Sequence, residues 1–239
     1  MRRKIMLAAA ALAIAIAVWN WPMTYYIGVD GKVSERRIPL YAKACGFLYR
    51  DWAYGDLVRE ITGGERDGTK KALEILRWVH RNITPSVPAG LKSVDDHPLN
   101  IVIRQYGSDD QSEDIFTILC AYAGLRADWG KCYNDDRSAY LLISFVRIGG
   151  RWLVFDASSN KYFVNSRGEI ASTEDCASGA VVLSGEDAAH YAQYLPNADK
   201  ALRTGWTRSD EQMPFRRIPA VIKKMFSRND RTQEIARIR

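Results

Sequence analysis

Cysteine and histidine are scarce in this sequence, which has 4 cysteines and 3 histidines among 239 residues. No two cysteines stand in a Cys-x-x-Cys arrangement, which argues against the usual zinc sites and thioredoxin-like redox chemistry. The sequence also lacks internal repeats, low-complexity segments and the glycine and proline excess of fibrous or disordered chains. Its length therefore predicts one folded domain with appendages.

The net charge of +6 comes from the two ends of the chain. Residues 1–4 carry 3 basic groups, and residues 201–239 carry 10 basic against 4 acidic groups. Residues 5–200 hold 21 basic and 24 acidic groups, without a basic stripe interleaved with aromatic residues. A nucleic-acid-binding domain shows its positive charge on the folded body, so no nucleic acid is expected as a partner.

An uncharged segment of 23 residues, Ile5 to Ile27, follows the basic leader Arg2-Arg3-Lys4. At a rise of about 1.5 Å per residue, this length predicts an N-terminal transmembrane helix. The basic leader predicts that the N-terminus lies inside the cell. Trp19 and Trp21 stand where an interfacial aromatic belt lies, which favours an uncleaved signal anchor.

The chain is therefore expected to consist of a signal anchor (1–28), a folded domain (29–200) and a basic C-terminal tail (201–239). The alternative at the N-terminus is a signal peptide cleaved at Ala15-Ile16-Ala17. In either case the domain faces the periplasm or the exterior of a bacterial cell, and the single anchor makes the cell membrane a partner. The tail has an apolar stripe between Ile218 and Phe226, which predicts a helix lying either on an anionic membrane surface or on the domain.

Helical patterns fill the first half of the domain, and strand patterns fill the second half. A tight turn is expected at Asp30-Gly31 and a hairpin turn at Gly149-Gly150. Apolar spacing predicts helices over 40–62, 69–81 and 186–194, and a further helix that follows the cap-type residues Ser108, Asp109 and Asp110 and stops at Gly124. It also predicts an irregular segment over 84–106 and strands over 126–133, 140–148, 151–155 and 162–164. This order predicts an α+β fold with helices packed on an antiparallel sheet.

In an exported chain, four cysteines allow two disulfides with three possible pairings, and the sequence leaves the pairing open: Cys45, Cys120, Cys132 and Cys176. Cys120 lies in the middle of a predicted helix and is expected to be a buried small hydrophobe. His80 is expected in the core or at its boundary, and His190 at the surface.

Three segments together resemble the transglutaminase-like superfamily: Tyr106-Gly107-Ser108-Asp109-Asp110-Gln111-Ser112, Ala121-Tyr122-Ala123-Gly124-Leu125 and Gly150-Arg151-Trp152-Leu153-Val154-Phe155-Asp156. In that family a Gly-x-Cys motif opens a helix ending in Ala-Gly-Ile, a strand then brings a His, and Trp-x-x-x-Asp brings the third catalytic residue. The resemblance covers roughly residues 70–165 and implies a papain-like fold. It also implies a thiolate at a helix N-terminus, where the helix dipole lowers the thiol pKa.

Two of the three catalytic positions implied by the resemblance carry other residues. The nucleophile position falls on Asp109, and the start of the strand that brings the base falls near Ser138. Only Asp156 matches the family pattern. An Asp at a helix start is a good N-cap and a poor acyl-transfer nucleophile, so we expect Asp109 to be a cap and Asp156 to be a structural carboxylate. No catalytic residue, cofactor or metal ion is then expected.

The function expected from this pattern is a non-catalytic binding or scaffolding module, a pseudoenzyme, for an unidentified peptide, glycan or protein. The alternative is a thiol peptidase or acyl transferase whose site has moved to Cys132 and His97. Another hypothesis is acid chemistry or cation binding by aspartates that converge at one edge of the sheet: Asp109, Asp110, Asp135, Asp136 and Asp156. The sequence leaves open whether the chain is an enzyme and favours the view that it is not.

Overall fold

A computed structural model describes residues 2–29, 32–91 and 95–202, and beyond these residues 207, 209, 210, 213, 216, 217 and 219. The predicted turn at Asp30-Gly31 lies outside the described residues. The apolar positions predicted for the basic tail, from Ile218 to Phe226, lie outside them as well.

The N-terminal part consists of one helix and a two-stranded antiparallel hairpin: α1 (Arg2–Trp19), β1 (Pro22–Val29) and β2 (Lys32–Pro39). The prediction that one helix continues to Ile27 is wrong. The helix ends where the side chain of Asn20 donates to the carbonyl of Ile16 at 2.9 Å, and Pro22 then begins a strand. Within the ranges that the structure describes, no helix combines the length and the apolar character needed to cross a membrane.

Four helices follow the hairpin: α2 (Leu40–Thr62), α3 (Gly68–Asn82), α4 (Pro98–Arg104) and α5 (Asp109–Tyr122). Three of them confirm the predicted helices, and Gly63 ends α2 with a φ of 54°, a conformation that favours glycine. The fourth, α4, lies in the segment predicted to be irregular. Its start has a known helix signal, because His97 is the N-cap and Pro98 occupies the first turn.

The main sheet is antiparallel with strand order β3-β4-β5-β6: β3 (Arg126–Tyr133), β4 (Tyr140–Ile148), β5 (Arg151–Asp156) and β6 (Lys161–Tyr162). Gly149 and Gly150 make the predicted turn between β4 and β5, with φ values of 58° and 84°. In the register of these two strands, Ser144 lies opposite Phe155. The C-terminal end of β5 therefore lies beside the first half of β4.

Short elements complete the described fold: β7 (Val164–Asn165), α6 (Thr173–Ala177), β8 (Val181–Val182), α7 (Ala188–Ala192), a 3-10 turn (Leu195–Asn197) and α8 (Ala198–Ala201). β7 and β8 pair in a separate two-stranded sheet. The single strand predicted over 162–164 is thus divided between β6 and β7, because Phe163 stands between two different pairings. The helix predicted over 186–194 is shorter than expected and is followed by the 3-10 turn.

Alternate residues of the central strands pack on opposite sides of the sheet. Val146 and Phe155 belong to a core shared with α2, α3, α4 and α5. Phe145 and Val154 belong to a second core shared with α6, α7 and α8. The sheet is therefore a middle layer, and α5 is buried along its length from Gln111 to Ala121. This arrangement confirms the α+β fold with helices on an antiparallel sheet.

Candidate functional site

The chain segment that leads into α5 approaches its neighbours closely at Gly107. The N–H of Gly107 donates to the carbonyl of Thr84 at 3.0 Å. A Cβ at this position would lie 2.6 Å from Oε1 of Gln111 and 3.1 Å from Cγ2 of Ile101, so a larger residue requires movement of both neighbours. The glycine two residues before Asp109 therefore fixes the place where α5 begins.

Gln111 holds the first turn of α5 with three hydrogen bonds. Its Oε1 accepts from the backbone N–H of Ser108 at 3.1 Å and from Nη2 of Arg104 at 2.9 Å. Its Nε2 donates to Oδ1 of Asp96 at 2.8 Å. These bonds position the start of the helix without a contribution from Asp109.

Asp109 is the first helical residue of α5, and Ser108 is the N-cap. The prediction that Asp109 caps the helix is therefore wrong by one position. The carboxylate of Asp109 is exposed and has no hydrogen bond to any residue in the described part of the chain. Partial burial raises the pKa of Asp109, and the nearby charges of Asp156 and Asp110 raise it further. The nucleophile position and the third family position thus lie within electrostatic range of each other.

Asp156, at the end of β5, is 1% exposed and accepts three hydrogen bonds. Its Oδ2 accepts from the hydroxyl of Tyr191 at 2.7 Å. Its Oδ1 accepts from Oγ of Ser158 and from the N–H of Ser159, both at 2.9 Å. The carboxylate therefore ties β5 to the next turn and to α7.

A second buried carboxyl group, that of Glu113, lies beside Asp156. Its Oε1 accepts from the N–H of Ala157 at 2.8 Å and from the N–H of Ser158 at 3.1 Å, and its Oε2 bonds to the hydroxyl of Ser144. Burial raises the pKa of Glu113 well above its usual range, and the charge of Asp156 adds to the effect. Glu113 is therefore protonated under conditions in which an exposed glutamate is ionised.

The sequence did not predict Glu113, Ser144 or Tyr191 as members of this site. One signal for Glu113 was available. The residues that follow it in α5, from Ile115 to Ala121, are mostly apolar on several faces of the helix. A helix that is apolar on all faces is buried on all faces, so its polar residues are buried as well.

The strand start that carries a histidine in the family is occupied here by a turn. Ser138 is exposed, and its N–H and Oγ donate to Oδ1 of Asp136 at 3.0 and 2.7 Å. Asn134 also donates to Oγ of Ser138, at 3.1 Å. The side chain of Ser138 therefore stabilises the β3–β4 connection and supplies no base.

The structure gives Cys132 and His97 no contact with each other. Cys132 is fully buried in the second core, its thiol donates to the carbonyl of Tyr194 at 2.9 Å, and burial raises its pKa to about 12. His97 caps α4 by accepting from the N–H of Leu99 at Nδ1, at 3.3 Å. Burial lowers the pKa of His97 to about 4, and the charge of Arg50 contributes. A thiol and an imidazole so placed do not form a nucleophile and base pair.

The other two histidines are also outside the site. His190 on α7 is exposed, as predicted. His80 on α3 is exposed too, so its predicted place in the core or at its boundary is wrong. The preceding residue, Val79, takes the buried position, and a step of one residue turns a helical side chain by about 100°.

The aspartates proposed as a cation site are divided between two places. Asp109 and Asp110 lie in the first turn of α5, whereas Asp136 lies in the β3–β4 turn and Asp135 accepts from Asn197 at 2.9 Å. Among the residues with described positions, no group of three or more His, Cys, Asp or Glu side chains is arranged to hold a metal ion.

All four cysteines are free thiols. Cys45 on α2 is exposed, while Cys120, Cys132 and Cys176 are buried. Cys120 is fully buried in the middle of α5, which confirms its expected role as a small core residue.

The model of the transglutaminase-like superfamily matches residues 55–157 of this chain. Two solved structures are similar. One is a candidate cysteine protease from Cytophaga hutchinsonii, with 19% identity and a TM-score of 0.37, where the alignment covers 50% of this chain and 40% of that one. The other is a candidate protease from Parabacteroides distasonis, with 14% identity and a TM-score of 0.37, covering 57% of this chain and 36% of that one. The chain thus spans less than half the length of either structure. No curated protein sequence matches the chain.

Proposed function

We propose, from the premise that residues 55–157 are a transglutaminase-like superfamily domain, that this domain is a non-catalytic binding module. In this proposal, α1 anchors the chain in a cell membrane and the domain lies on the extracytoplasmic side. The ligand is a peptide, a glycan or a protein segment that is held and not cleaved.

One observation carries the non-catalytic part of the proposal. The family's nucleophile position is Asp109, whose carboxylate is exposed and lies close to the charge of Asp156. Acyl transfer by the family mechanism needs a thiolate at the helix N-terminus and an imidazole to accept its proton. Ser138, in the turn before the strand, offers no imidazole, and Asp156 is fully engaged by hydrogen bonds.

The anchor rests on the composition and exposure of the N-terminal segment. The helix α1 has no buried residue, although most of its side chains are apolar, and Leu7 and Ile14 are 64% and 65% exposed. Apolar side chains in this number are stable when lipid or another apolar surface covers them. The basic residues Arg2, Arg3 and Lys4 at its start favour an N-terminus on the cytoplasmic side.

Alkylation of the native full chain tests the non-catalytic proposal against an enzyme with a relocated thiol. We expect iodoacetamide to modify Cys45 alone, because Cys45 is exposed and the other three thiols are buried. The variant Cys45→Ser should then take up no label until the protein is unfolded. Labelling of Cys132 at a rate equal to or above that of Cys45 would support a catalytic thiol and contradict the proposal.

A reporter fused after residue 239 tests the topology. Activity of the reporter only outside the cytoplasm, with the chain in the membrane fraction, is the expected result. Activity in the cytoplasm, or a mature soluble protein that begins near Val18, would contradict the anchor.

A further inference from the structure

An exposed stripe of apolar and aromatic side chains runs along the first half of α2. Its members stand at steps of four, three, one and three residues, which places them on one face of the helix about 100° wide: Tyr41, Cys45, Leu48, Tyr49 and Trp52. Leu48, Tyr49 and Trp52 are 61%, 57% and 59% exposed, and the rings of Tyr49 and Trp52 lie 6.1 Å apart. A contiguous exposed apolar face of this kind marks a contact with a protein partner or with a membrane.

The stripe lies on the part of α2 that is away from the domain core. The buried residues of α2, Tyr54 and Val58, are both in its second half. The first half begins against the segment that joins α1 to β1, where the N–H of Leu40 donates to the carbonyl of Trp21 at 2.9 Å. The start of α2 is therefore held close to the end of α1.

The stripe is continuous with the exposed apolar surface of α1. The ring of Trp19, the last residue of α1, stacks on the ring of Tyr41, the first member of the stripe, with centroids 6.5 Å apart and planes inclined by 18°. The helix α1 has no buried residue. A lipid layer that covers α1 therefore reaches the stripe, and this step rests on the proposed anchoring of α1 in a membrane.

The charges around the stripe match the surface of a membrane that contains anionic lipids. Residues 32–50 hold 5 basic groups and 1 acidic group, and Arg36 and Arg37 on β2 are exposed. Basic groups close to such a surface are attracted to it. Farther from α1 the same face of α2 is charged, and Asp56 and Arg59 form an ion pair at 3.0 Å. The apolar character of this face therefore ends about three turns from the start of α2.

We propose that the stripe of α2 is a second membrane contact, which lies in the interfacial layer of an anionic phospholipid bilayer. Tyrosine and tryptophan are the side chains that this layer favours, because their rings are apolar and their O–H or N–H groups reach water. A protein partner accounts neither for the basic surroundings of the stripe nor for its continuity with α1. Two contacts, α1 and the stripe, hold the domain in one orientation on the membrane.

The test places a nitroxide label on Cys45, which lies in the stripe and is the exposed one among the four thiols. The labelled full chain is reconstituted into vesicles of phosphatidylethanolamine and phosphatidylglycerol. Spin resonance then measures collisions of the label with oxygen, which concentrates in lipid, and with a water-soluble nickel chelate. We expect frequent collisions with oxygen and a loss of collisions with the chelate. The matched control is Glu60→Cys in a Cys45→Ser chain, at an exposed position about 22 Å farther along α2, where the label should collide mainly with the chelate.

The substitution Leu48→Glu tests whether the apolar character of the stripe holds it in lipid. Leu48 is exposed, so the fold should remain intact, which urea unfolding checks. Because a carboxylate is costly to place in an apolar layer, collisions of the Cys45 label with the chelate should rise to the level found at position 60. Ile103→Glu, at an apolar residue of α4 that is 68% exposed, should leave these collisions unchanged. Unchanged collisions in Leu48→Glu would overturn the proposal.

A third label, at Ala10→Cys in a Cys45→Ser chain, separates the contact of the stripe from the anchor. Frequent collisions with the chelate at position 10 would contradict the anchor, and the label at Cys45 then decides the second contact by itself. Lipid around position 10 together with water around Cys45 would keep the anchor and overturn the second contact. Few collisions of the Cys45 label with either reagent would show that a second copy or another protein covers the stripe, which would also overturn the proposal.

Discussion

Glu113 and Asp156 are neighbouring buried carboxyl groups that join the central helix to the central sheet. Glu113 accepts a hydrogen bond at 2.8 Å from the N–H of Ala157, the residue after Asp156, and the charge of Asp156 raises the pKa of Glu113. Two adjacent carboxylates in a buried site cannot both ionise without a large cost. Burial, together with the charge of Asp156, therefore favours the protonated form of Glu113.

The substitution Glu113→Gln should remove a pH dependence of stability. The folded pKa of Glu113 lies above its ordinary value of 4.5, so between these two values the folded protein keeps a proton that the unfolded chain releases. The stabilising contribution is complete below the ordinary value and is lost as the pH rises towards the folded pKa, by up to about 1.4 kcal/mol per pH unit. Glutamine keeps the acceptor for Ala157 and donates to Ser144 without titrating.

Urea unfolding of both proteins from about pH 4.5 to about pH 8 measures this effect. The difference in free energy of unfolding, natural sequence minus Glu113→Gln, should fall as the pH rises. Glu186→Gln, at an exposed glutamate, is the matched control for the substitution itself. A constant difference for Glu113→Gln would show that the proton is not held.

Histidine 97 should produce a pH dependence of the opposite sign. Burial, with the charges of Arg50 and Arg217, lowers the pKa of His97 from 6.5 to about 4. Between these values the unfolded chain binds a proton that the folded protein does not, so stability is lost as the pH falls through this window, by roughly 3 kcal/mol in total. His97→Asn keeps a side-chain oxygen for the N–H of Leu99 and should abolish the loss.

The control for this prediction is His190→Asn, at an exposed histidine. Comparing His97→Asn with this variant removes effects that come from exchanging any histidine for asparagine. If the unfolding free energy of His97→Asn follows that of the natural sequence across the same pH range, the imidazole of His97 is not held neutral in the fold.

Most helix and strand bounds were predictable from the sequence because local signals fixed them. Glycines end α2 and join β4 to β5, and apolar residues repeat along α3 and α5. Helix α4 has 7 residues, too few for a period of 3.6 to become visible, and its proline start was the only signal. The N-terminal helix was predicted too long because hydropathy alone does not show that the residues from Pro22 onward pair with β2.

The candidate site was predictable only in part, for a physical reason. Spacing along the chain located Asp109 and Asp156, since Asp109 lies two residues after Gly107 and Asp156 lies four residues after Trp152. The role of Glu113 depends on Ser144, 31 residues away, and on Ala157, 44 residues away. Contacts of this separation arise from the packing of α5 on the sheet and leave little trace in the local pattern.

Gln111 should contribute more to stability than Asp109. Gln111→Ala removes three hydrogen bonds and leaves Arg104 and the N–H of Ser108 without that acceptor, so we expect a loss of roughly 2–3 kcal/mol. Asp109→Ala should change stability by less than about 0.5 kcal/mol, since a favourable helix-dipole term of about that size is offset by repulsion from Asp156 and Asp110. Chemical denaturation of the two variants measures both values. A loss of stability for Asp109→Ala larger than that for Gln111→Ala would show that Asp109 caps the helix.

Two glycine substitutions should change stability in opposite directions. Gly107→Ala places a methyl group 2.6 Å from Oε1 of Gln111, so we expect a loss of about 1–3 kcal/mol. Gly55→Ala, within α2, meets no atom within 4 Å and should gain up to about 1 kcal/mol from the higher helix propensity of alanine. Thermal unfolding compares the two variants. An unchanged unfolding midpoint for Gly107→Ala would show that Gln111 and Ile101 leave room for a methyl group at this position.

The central claim is that this transglutaminase-like domain holds no working thiol and imidazole pair, and turnover tests it most directly. The full chain and the variant Asp109→Cys are incubated with generic peptide and glutamine substrates, with and without iodoacetamide. We expect no thiol-dependent hydrolysis or transamidation from either protein, because a cysteine at position 109 has no imidazole beside it to accept its proton. Turnover by the natural sequence that iodoacetamide abolishes, and that is lost in Cys132→Ala or His97→Ala, would contradict the account.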